Sequence, residues 1–275
     1  MDYPNTTWRV IENPPARGAW NMALDEAILE SVAAGDSLST LRLYAWEPAC
    51  LSLGQAQPFA EVDAEALAAH GWDIVRRPTG GRAILHTDEL TYAVIAPVAE
   101  PRVRGNVLQS YLQLSQALLR ALEIIGLAPE ANEKPPENDS KSFNPVCFEV
   151  PSNYEITVGG KKLIGSAQAR RYEGVLQHGA LPLAGDLTRI ITALKFRDAQ
   201  AQERARQGLL DHATTVEWVL GRAPTWQQAA KAFKTAFAEV LNLNLVPGSL
   251  SAREEERAAE LIKEKYANPA WTERI

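Results

Sequence analysis

Cys147 and the lysine pair Lys161-Lys162 could take part in nucleophilic chemistry. A cysteine thiolate is a nucleophile, and a neighbouring lysine ammonium can stabilise that thiolate or polarise a carbonyl group. Residues 129–145, just before Cys147, are rich in Glu, Lys, Asn, Asp, Ser and Pro, which predicts a long surface loop leading to a sheet. A reactive thiol fits that position. From composition alone, a buried and inert cysteine is the alternative.

A second chemically suggestive stretch, residues 76–86, reads Arg-Arg-Pro-Thr-Gly-Gly-Arg-Ala-Ile-Leu-His. Pro78 biases Arg77 away from helix, and the Gly80-Gly81 pair permits a tight turn. Bare backbone N–H groups beside three arginines suit an acyl chain, a phosphate or a carboxylate. The same stretch also fits a glycine turn flanked by solvated arginines, and the sequence alone leaves both interpretations open.

Predicted strands near Lys162 and near residues 76–86 must position these candidate residues. Residues 154–158 and 161–168 read as strands joined by a Gly159-Gly160 hairpin turn. His178 falls in a further strand, where it could line a site or be a hydrogen-bonded structural histidine. The remaining predicted strands cover residues 8–12, 41–44, 50–54, 72–77, 83–85, 90–95 and 175–181.

Predicted helices alternate with these strands. Their apolar spacing and capping patterns place them at residues 18–34, 62–70, 107–125, 186–194 and 252–266, and a further helix opens at residue 225. Residues 199–207 read as a charged helix or loop. Asn21 and Asp25 lie in the first helix, where we expect them to cap it and to form a solvated first turn. Cys50 lies in an apolar strand, so we predict that it is a small core residue.

Composition excludes several classes of protein. A net charge of −6 argues against nucleic acid as the main partner, because phosphate binding favours a basic surface. Two cysteines in 275 residues predict a reducing compartment rather than a disulfide framework. The sequence has no secretory signal, no apolar run of membrane-spanning length and no metal-ligand cluster. We therefore predict a cytoplasmic protein without metal, nucleic-acid or membrane partners.

The motifs together resemble the lipoate–protein ligase/octanoyltransferase family. The resemblance rests on residues 76–86, on Gly-Lys-Lys-Leu-Ile-Gly-Ser-Ala-Gln at 160–168, on Leu-Gln-His-Gly at 176–179, and on matches at 21–26 and 265–271. It implies the α+β fold shared with biotin protein ligases, which is a mixed, largely antiparallel sheet packed with helices. It also implies one catalytic domain over residues 1–275, with a helical C-terminal segment at about 225–275.

Two departures separate this sequence from the ligases of that family. Ligases usually carry a third glycine where Arg82 stands, and an Asn-Asp pair rather than a cysteine before the catalytic lysine. The sequence around Cys147 is instead similar to cysteine-dependent octanoyltransferases that feed the glycine cleavage H protein. By resemblance, Cys147 is the nucleophile and Lys162 polarises the acyl carbonyl. The implied substrate-binding residues are Arg76, Arg77, Thr79, Gly80, Gly81, His86, Gly165, Ser166, Ala167 and His178.

The implied reaction moves octanoyl from acyl carrier protein to Cys147, and then to a lysine of a lipoyl domain such as the glycine cleavage H protein. Thioester exchange is nearly isoenergetic and amide formation is downhill, so no cofactor is required. The basic residues in 76–82 and 161–171 would favour an acidic carrier protein. The alternatives are an ATP- and Mg-dependent lipoate ligase, octanoyl transfer between lipoyl domains, and a non-catalytic acyl-binding protein.

Overall fold

The computed structural model describes residues 3–132 and 155–275, so Cys147 lies outside the described residues. The strands are β1 (Thr6–Glu12), β2 (Thr40–Tyr44), β3 (Cys50–Leu53), β4 (Asp73–Arg76), β5 (Ile84–His86), β6 (Glu89–Pro97), β7 (Pro129–Asn132), β8 (Glu155–Val158), β9 (Lys161–Arg171), β10 (Gly174–Pro182) and β11 (Leu243–Pro247). The predicted strands are thus all present, with ends that shift by one to three residues.

The helices are α1 (Gly18–Ala33), α2 (Ala64–His70), α3 (Val107–Ile125), α4 (Ala199–His212), α5 (Val216–Leu220), α6 (Trp226–Val240), α7 (Ala252–Leu261) and α8 (Pro269–Thr272). Short 3₁₀ turns occupy Phe59–Glu61, Pro101–Val103 and Leu187–Ala193, and a π-helical turn, Ile262–Tyr266, continues α7. In these described parts of the chain, no helix has the length and apolar character needed to cross a membrane.

Within residues 3–132 and 155–275, the larger sheet has eight strands in the order β11-β1-β2-β6-β10-β9-β8-β7. Strand β1 runs parallel to both of its neighbours, while every other neighbouring pair in this sheet is antiparallel. A smaller sheet has the order β4-β3-β5, in which β3 is parallel to β4 and antiparallel to β5. The predicted α+β class with a mixed, largely antiparallel sheet is therefore confirmed.

Helices cover both faces of the larger sheet. Because side chains alternate along a strand, Tyr92 and Val94 of β6 join the core under α3 and α6, whereas Ala93 and Ile95 join the core under α1 and α7. Phe233 of α6 packs against Tyr92 with ring centroids 5.9 Å apart. A third cluster buries the smaller sheet against the 3₁₀ turn Leu187–Ala193 and α4.

Local signals fix several of these elements. The capping boxes that open α6 and α7 both form, with Thr225 and Ser251 as N-caps. Gly159 and Gly160 have positive φ angles of 56° and 76°, which a two-residue hairpin turn of type I′ requires. Cys50 is fully buried, as predicted, and burial raises the pKa of its thiol well above the ordinary value.

Four sequence-based expectations about secondary structure differ from the structure. Residues Pro129–Asn132 form β7 on the sheet edge rather than the start of a loop, since they pair with β8. Helix α4 continues to His212, and the predicted helix at 186–194 is a 3₁₀ turn. The C-terminal segment is not wholly helical, because β11 lies within it and extends the sheet beside β1.

Candidate active site

A small, mostly apolar cavity, partly open to solvent, lies where the smaller sheet meets β6, β9 and β10 of the larger one. The predicted site residues that line it are Arg77, Gly81, His86, Gly165, Ser166, Ala167 and His178. Sequence reasoning missed the other lining residues, which are Met22, Tyr44, Trp46, Ser52, Ile84, Thr91, Gly179 and Ala180.

The Gly-Gly turn at residues 79–82 forms one wall of this cavity. The backbone N–H of Gln55 donates to the carbonyl of Thr79 at 2.8 Å, which ties the turn to the end of β3. Arg77 donates to the carbonyls of Gly80 and Arg82 at 2.7 Å each, so its guanidinium holds the turn from within. Arg77 is only 3% exposed, and the alternative of solvated arginines is therefore wrong for it.

Arg76 does not line the cavity. Its fully buried guanidinium donates to main-chain carbonyls, among them that of Gln57 at 2.6 Å and that of Thr272 at 2.7 Å. These contacts join β4 to the segment after β3 and to the C-terminal helix α8. Arg76 thus holds the backbone near the site rather than presenting charge to a ligand.

A buried hydrogen-bonded chain runs from Asp25 through His178 to Thr79. His178 Nδ1 lies 3.2 Å from Asp25 Oδ2, and its Nε2 lies 2.7 Å from Thr79 Oγ1. Burial lowers the pKa of His178 even though Asp25 favours the imidazolium. The neutral ring therefore donates from Nδ1 to Asp25 and accepts the Thr79 hydroxyl proton at Nε2. Thr79 is not among the residues that line the cavity, but this hydrogen bond connects it to His178, which does line it.

The expectation that Asn21 and Asp25 are solvated or capping residues was wrong. Both are fully buried, and Asp25 forms an ion pair with the equally buried Arg42 at 2.7 Å. Burial alone raises the pKa of Asp25, but Arg42 and the hydrogen bond from His178 reverse that effect and lower it. Tyr44 also donates to this carboxylate at 2.9 Å. The signal available in the sequence was a carboxylate within a helix that is apolar on most sides.

A second buried network surrounds His86. Its Nε2 lies 2.7 Å from Ser52 Oγ, and its Nδ1 lies 2.7 Å from Glu89 Oε1. Thr91 also donates to Glu89 Oε1, at 2.5 Å, and accepts from the indole N–H of Trp46 at 2.7 Å. Of these residues the sequence had singled out only His86.

Lys162 lies on β9, three residues before Gly165, and is not among the residues that line the cavity. Its ammonium forms a 2.9 Å ion pair with Glu155 Oε1, and its side chain is 6% exposed. Its carbonyl accepts from the N–H of Thr214 at 3.0 Å, which fixes the start of the strand. The relation of Lys162 to Cys147 lies outside the described residues.

Ser166 and the neighbouring Tyr92 form a further polar contact at the cavity, with their hydroxyl oxygens 2.7 Å apart. Burial raises the pKa of Tyr92 to about 12. In residues 3–132 and 155–275 no group of three or more His, Cys, Asp and Glu could hold a metal ion.

Solved structures define the class of protein to which this fold belongs. The bipartite lipoate protein ligase of Thermoplasma acidophilum, reported with its E2 lipoyl domain, matches with a TM-score of 0.81 and 23% identity over 98% of this chain and 96% of that chain. A lipoate-protein ligase A bound with ATP matches with a TM-score of 0.78 and 24% identity over 98% of this chain and 99% of that chain. The fold is therefore that of lipoate–protein ligases.

The family model described as the lipoyl protein ligase A/B catalytic domain matches residues 17–238, and the chain belongs to this family. The octanoyltransferase LipM of Carboxydothermus hydrogenoformans is 38% identical over 96% of this chain and 98% of its own length. The LipM of Kyrpidia tusciae is also 38% identical, over 98% and 99% respectively. These relatives confirm the predicted family, and they confirm that the protein is an octanoyltransferase enzyme.

Proposed function

We propose that this protein transfers octanoyl from octanoyl-acyl carrier protein to a lysine of a lipoyl domain, through a thioester on Cys147. The observation that carries the proposal is the apolar cavity between the Gly-Gly turn and the segment Gly165, Ser166 and Ala167. Burying an alkyl chain there contributes about 0.8 kcal/mol per methylene group. The near full-length similarity to octanoyltransferases supports the same acyl group.

The proposed reaction has two acyl transfers. The Cys147 thiolate attacks the octanoyl thioester carbonyl, a new C–S bond forms, the C–S bond to the carrier breaks, and the carrier leaves as a thiolate. The acceptor lysine amine then attacks the Cys147 thioester, and the amide forms as the cysteine leaves and the amine loses a proton. Lys162 polarises the carbonyl in both steps, and the Glu155 carboxylate beside it holds the ammonium in place. No ATP and no cofactor enter this scheme.

The proposed acceptor is a lipoyl domain, with the glycine cleavage H protein as the specific candidate. A lipoate protein ligase of the same fold has been described with its E2 lipoyl domain, which supports this class of acceptor. The specific acceptor and the acyl carrier protein donor rest on the similarity around Cys147 to cysteine-dependent octanoyltransferases.

The experiment that tests this proposal is intact-protein mass spectrometry after mixing with octanoyl-acyl carrier protein, without ATP. We expect an octanoyl adduct that hydroxylamine removes, that is absent in Cys147→Ala, and that passes to an added lipoyl domain. Cys50→Ala is the matched control, because Cys50 is fully buried and burial raises the pKa of its thiol. That variant should still form the adduct.

Two results would overturn the proposal. One is a thioester adduct, cleaved by neutral hydroxylamine, that persists in Cys147→Ala. The other is the absence of any adduct together with ATP-dependent lipoylation that survives Cys147→Ala, which would make the protein a ligase.

A further inference from the structure

We propose that Ser52, His86 and Glu89 give the cavity a second nucleophile, which slowly hydrolyses medium-chain acyl esters and thioesters independently of Cys147. Ser52 Oγ and His86 Nε2 lie 2.7 Å apart, and His86 Nδ1 lies 2.7 Å from Glu89 Oε1. Hydroxyl, imidazole and carboxylate thus follow one another in the order that nucleophilic serine catalysis requires.

The hydrogen bonds around Glu89 fix the direction of proton flow. The indole N–H of Trp46 donates to Thr91 Oγ1, so the Thr91 hydroxyl donates its own proton to Glu89 Oε1. That oxygen therefore accepts, and His86 must donate to it from Nδ1. In its neutral form, the ring then has its lone pair at Nε2, where it can accept the proton of Ser52.

Two neighbours prepare this serine further. Arg77 Nη1 donates to Ser52 Oγ at 3.2 Å, which stabilises negative charge on that oxygen as it loses its proton. The Trp46 ring stacks on His86, with centroids 4.0 Å apart and planes 9° from parallel, and this holds the imidazole toward the hydroxyl.

Ser52 is fully buried from solvent and borders the cavity in which an acyl group would lie. Ser52, His86, Arg77 and Trp46 all line the cavity of the candidate active site. Ser166 lines the same cavity, but its hydroxyl pairs with the phenol of Tyr92 rather than with an imidazole. The two serines therefore differ in the base beside them.

The step balances with water as the second reactant. Ser52 Oγ attacks the acyl carbonyl, its proton passes to His86 Nε2, and His86 returns that proton to the leaving thiol or alcohol. Water then attacks the acyl-serine ester with the same imidazole as base, which releases the fatty acid and restores the hydroxyl. Ser52 and His86 are catalytic residues here, and Glu89 is a positioning residue.

The first test is active-site labelling of the full-length Cys147→Ala protein with an octyl fluorophosphonate, followed by peptide mass mapping. We expect phosphonylation at Ser52. An added Ser166→Ala substitution should not change the residue that is labelled. An added His86→Asn substitution should slow labelling by about 100-fold or more, because it removes the general base. No labelling at Ser52, or labelling at Ser166 instead, would overturn the proposal.

The second test is hydrolysis of p-nitrophenyl octanoate by the same Cys147→Ala protein. Adding Ser52→Ala should abolish octanoate release, and Glu89→Gln should lower kcat with little change in KM, since Glu89 orients the base and does not touch the ester. Equal hydrolysis with and without Ser52 would contradict the proposal. Octanoyl transfer through Cys147 is measured separately, with octanoyl-acyl carrier protein and wild-type protein. Either proposal can therefore be overturned while the other stands.

Discussion

His178 on β10 and Asp25 on α1 are 153 positions apart in sequence, yet their Nδ1 and Oδ2 atoms lie 3.2 Å apart in the buried interior. The same carboxylate neutralises Arg42 of β2. Through Thr79, the contact reaches the Gly-Gly turn. One buried carboxylate therefore connects the first helix, the centre of the large sheet and a wall of the cavity.

Replacing Asp25 should strongly destabilise the protein. Asp25→Ala leaves the Arg42 guanidinium, which is 0% exposed, without its carboxylate, and breaking a buried pair in this way costs about 3–5 kcal/mol. Urea unfolding measures the loss. The control is Asp73→Ala, whose partner Arg17 is 72% exposed, and which should cost less than about 1 kcal/mol. Equal losses in the two variants would contradict this account.

The buried His178 should make stability depend on pH. Burial lowers the pKa of His178 in the folded protein, so below about pH 6.5 the unfolded chain binds a proton that the folded chain excludes. Stability should therefore fall as pH decreases from about 6.5 toward that lowered pKa, by at most about 1.4 kcal/mol per pH unit for this residue.

Urea unfolding between pH 7.5 and about pH 5 measures this slope. His178→Gln should flatten it, while His212→Gln, which removes an exposed histidine bonded to its own helix, should leave it unchanged. Asp25 does not confound the comparison, because the pKa of its carboxyl is lowered and its contribution is lost at more acidic pH. If His178→Gln left the slope of stability against pH unchanged, a group other than His178 would cause the pH dependence.

The sequence predicted the elements better than it predicted their contacts. Strands such as β2 and β10 and the long helix α3 follow from apolar periodicity, which is a local property. Burial of Asp25 is not local, because it depends on Arg42 of β2 lying directly against α1. The general preference of carboxylates for solvent therefore gave the wrong expectation.

The same limit explains why Ser52 was missed. Ser52 and His86 are 34 positions apart and meet only because β5 pairs with β3 in a specific register. In an apolar strand, a single serine carries no signal of that pairing. The Gly-Gly turn, by contrast, was recognisable, since a proline that restricts the local backbone comes just before two glycines that permit a tight turn.

A side chain at Gly54 should displace the cavity wall. A Cβ at this position would lie 1.9 Å from the carbonyl oxygen of Gly81, and since this is a backbone atom no rotamer change relieves the clash. Gly54→Ala should therefore lower both the melting temperature and the yield of octanoyl adduct. Gly80→Ala is the control for stability, because nothing lies within 4 Å of its added Cβ, and its melting temperature should remain near that of wild type.

Substitution of Lys162 should separate its proposed chemical role from its position on the strand. Lys162→Gln removes the cation that we propose polarises the acyl carbonyl, and we expect the rate of adduct formation from octanoyl-acyl carrier protein to fall by about 100-fold or more. Lys161→Gln is the matched control, because the Lys161 ammonium donates to the carbonyl of Leu210 and stands on the adjacent position of β9. Rapid-quench mass spectrometry measures both rates. Equal rates for the two variants would remove Lys162 from the proposed mechanism, whereas a loss confined to Lys162→Gln, with an unchanged melting temperature, would assign it to the transfer step.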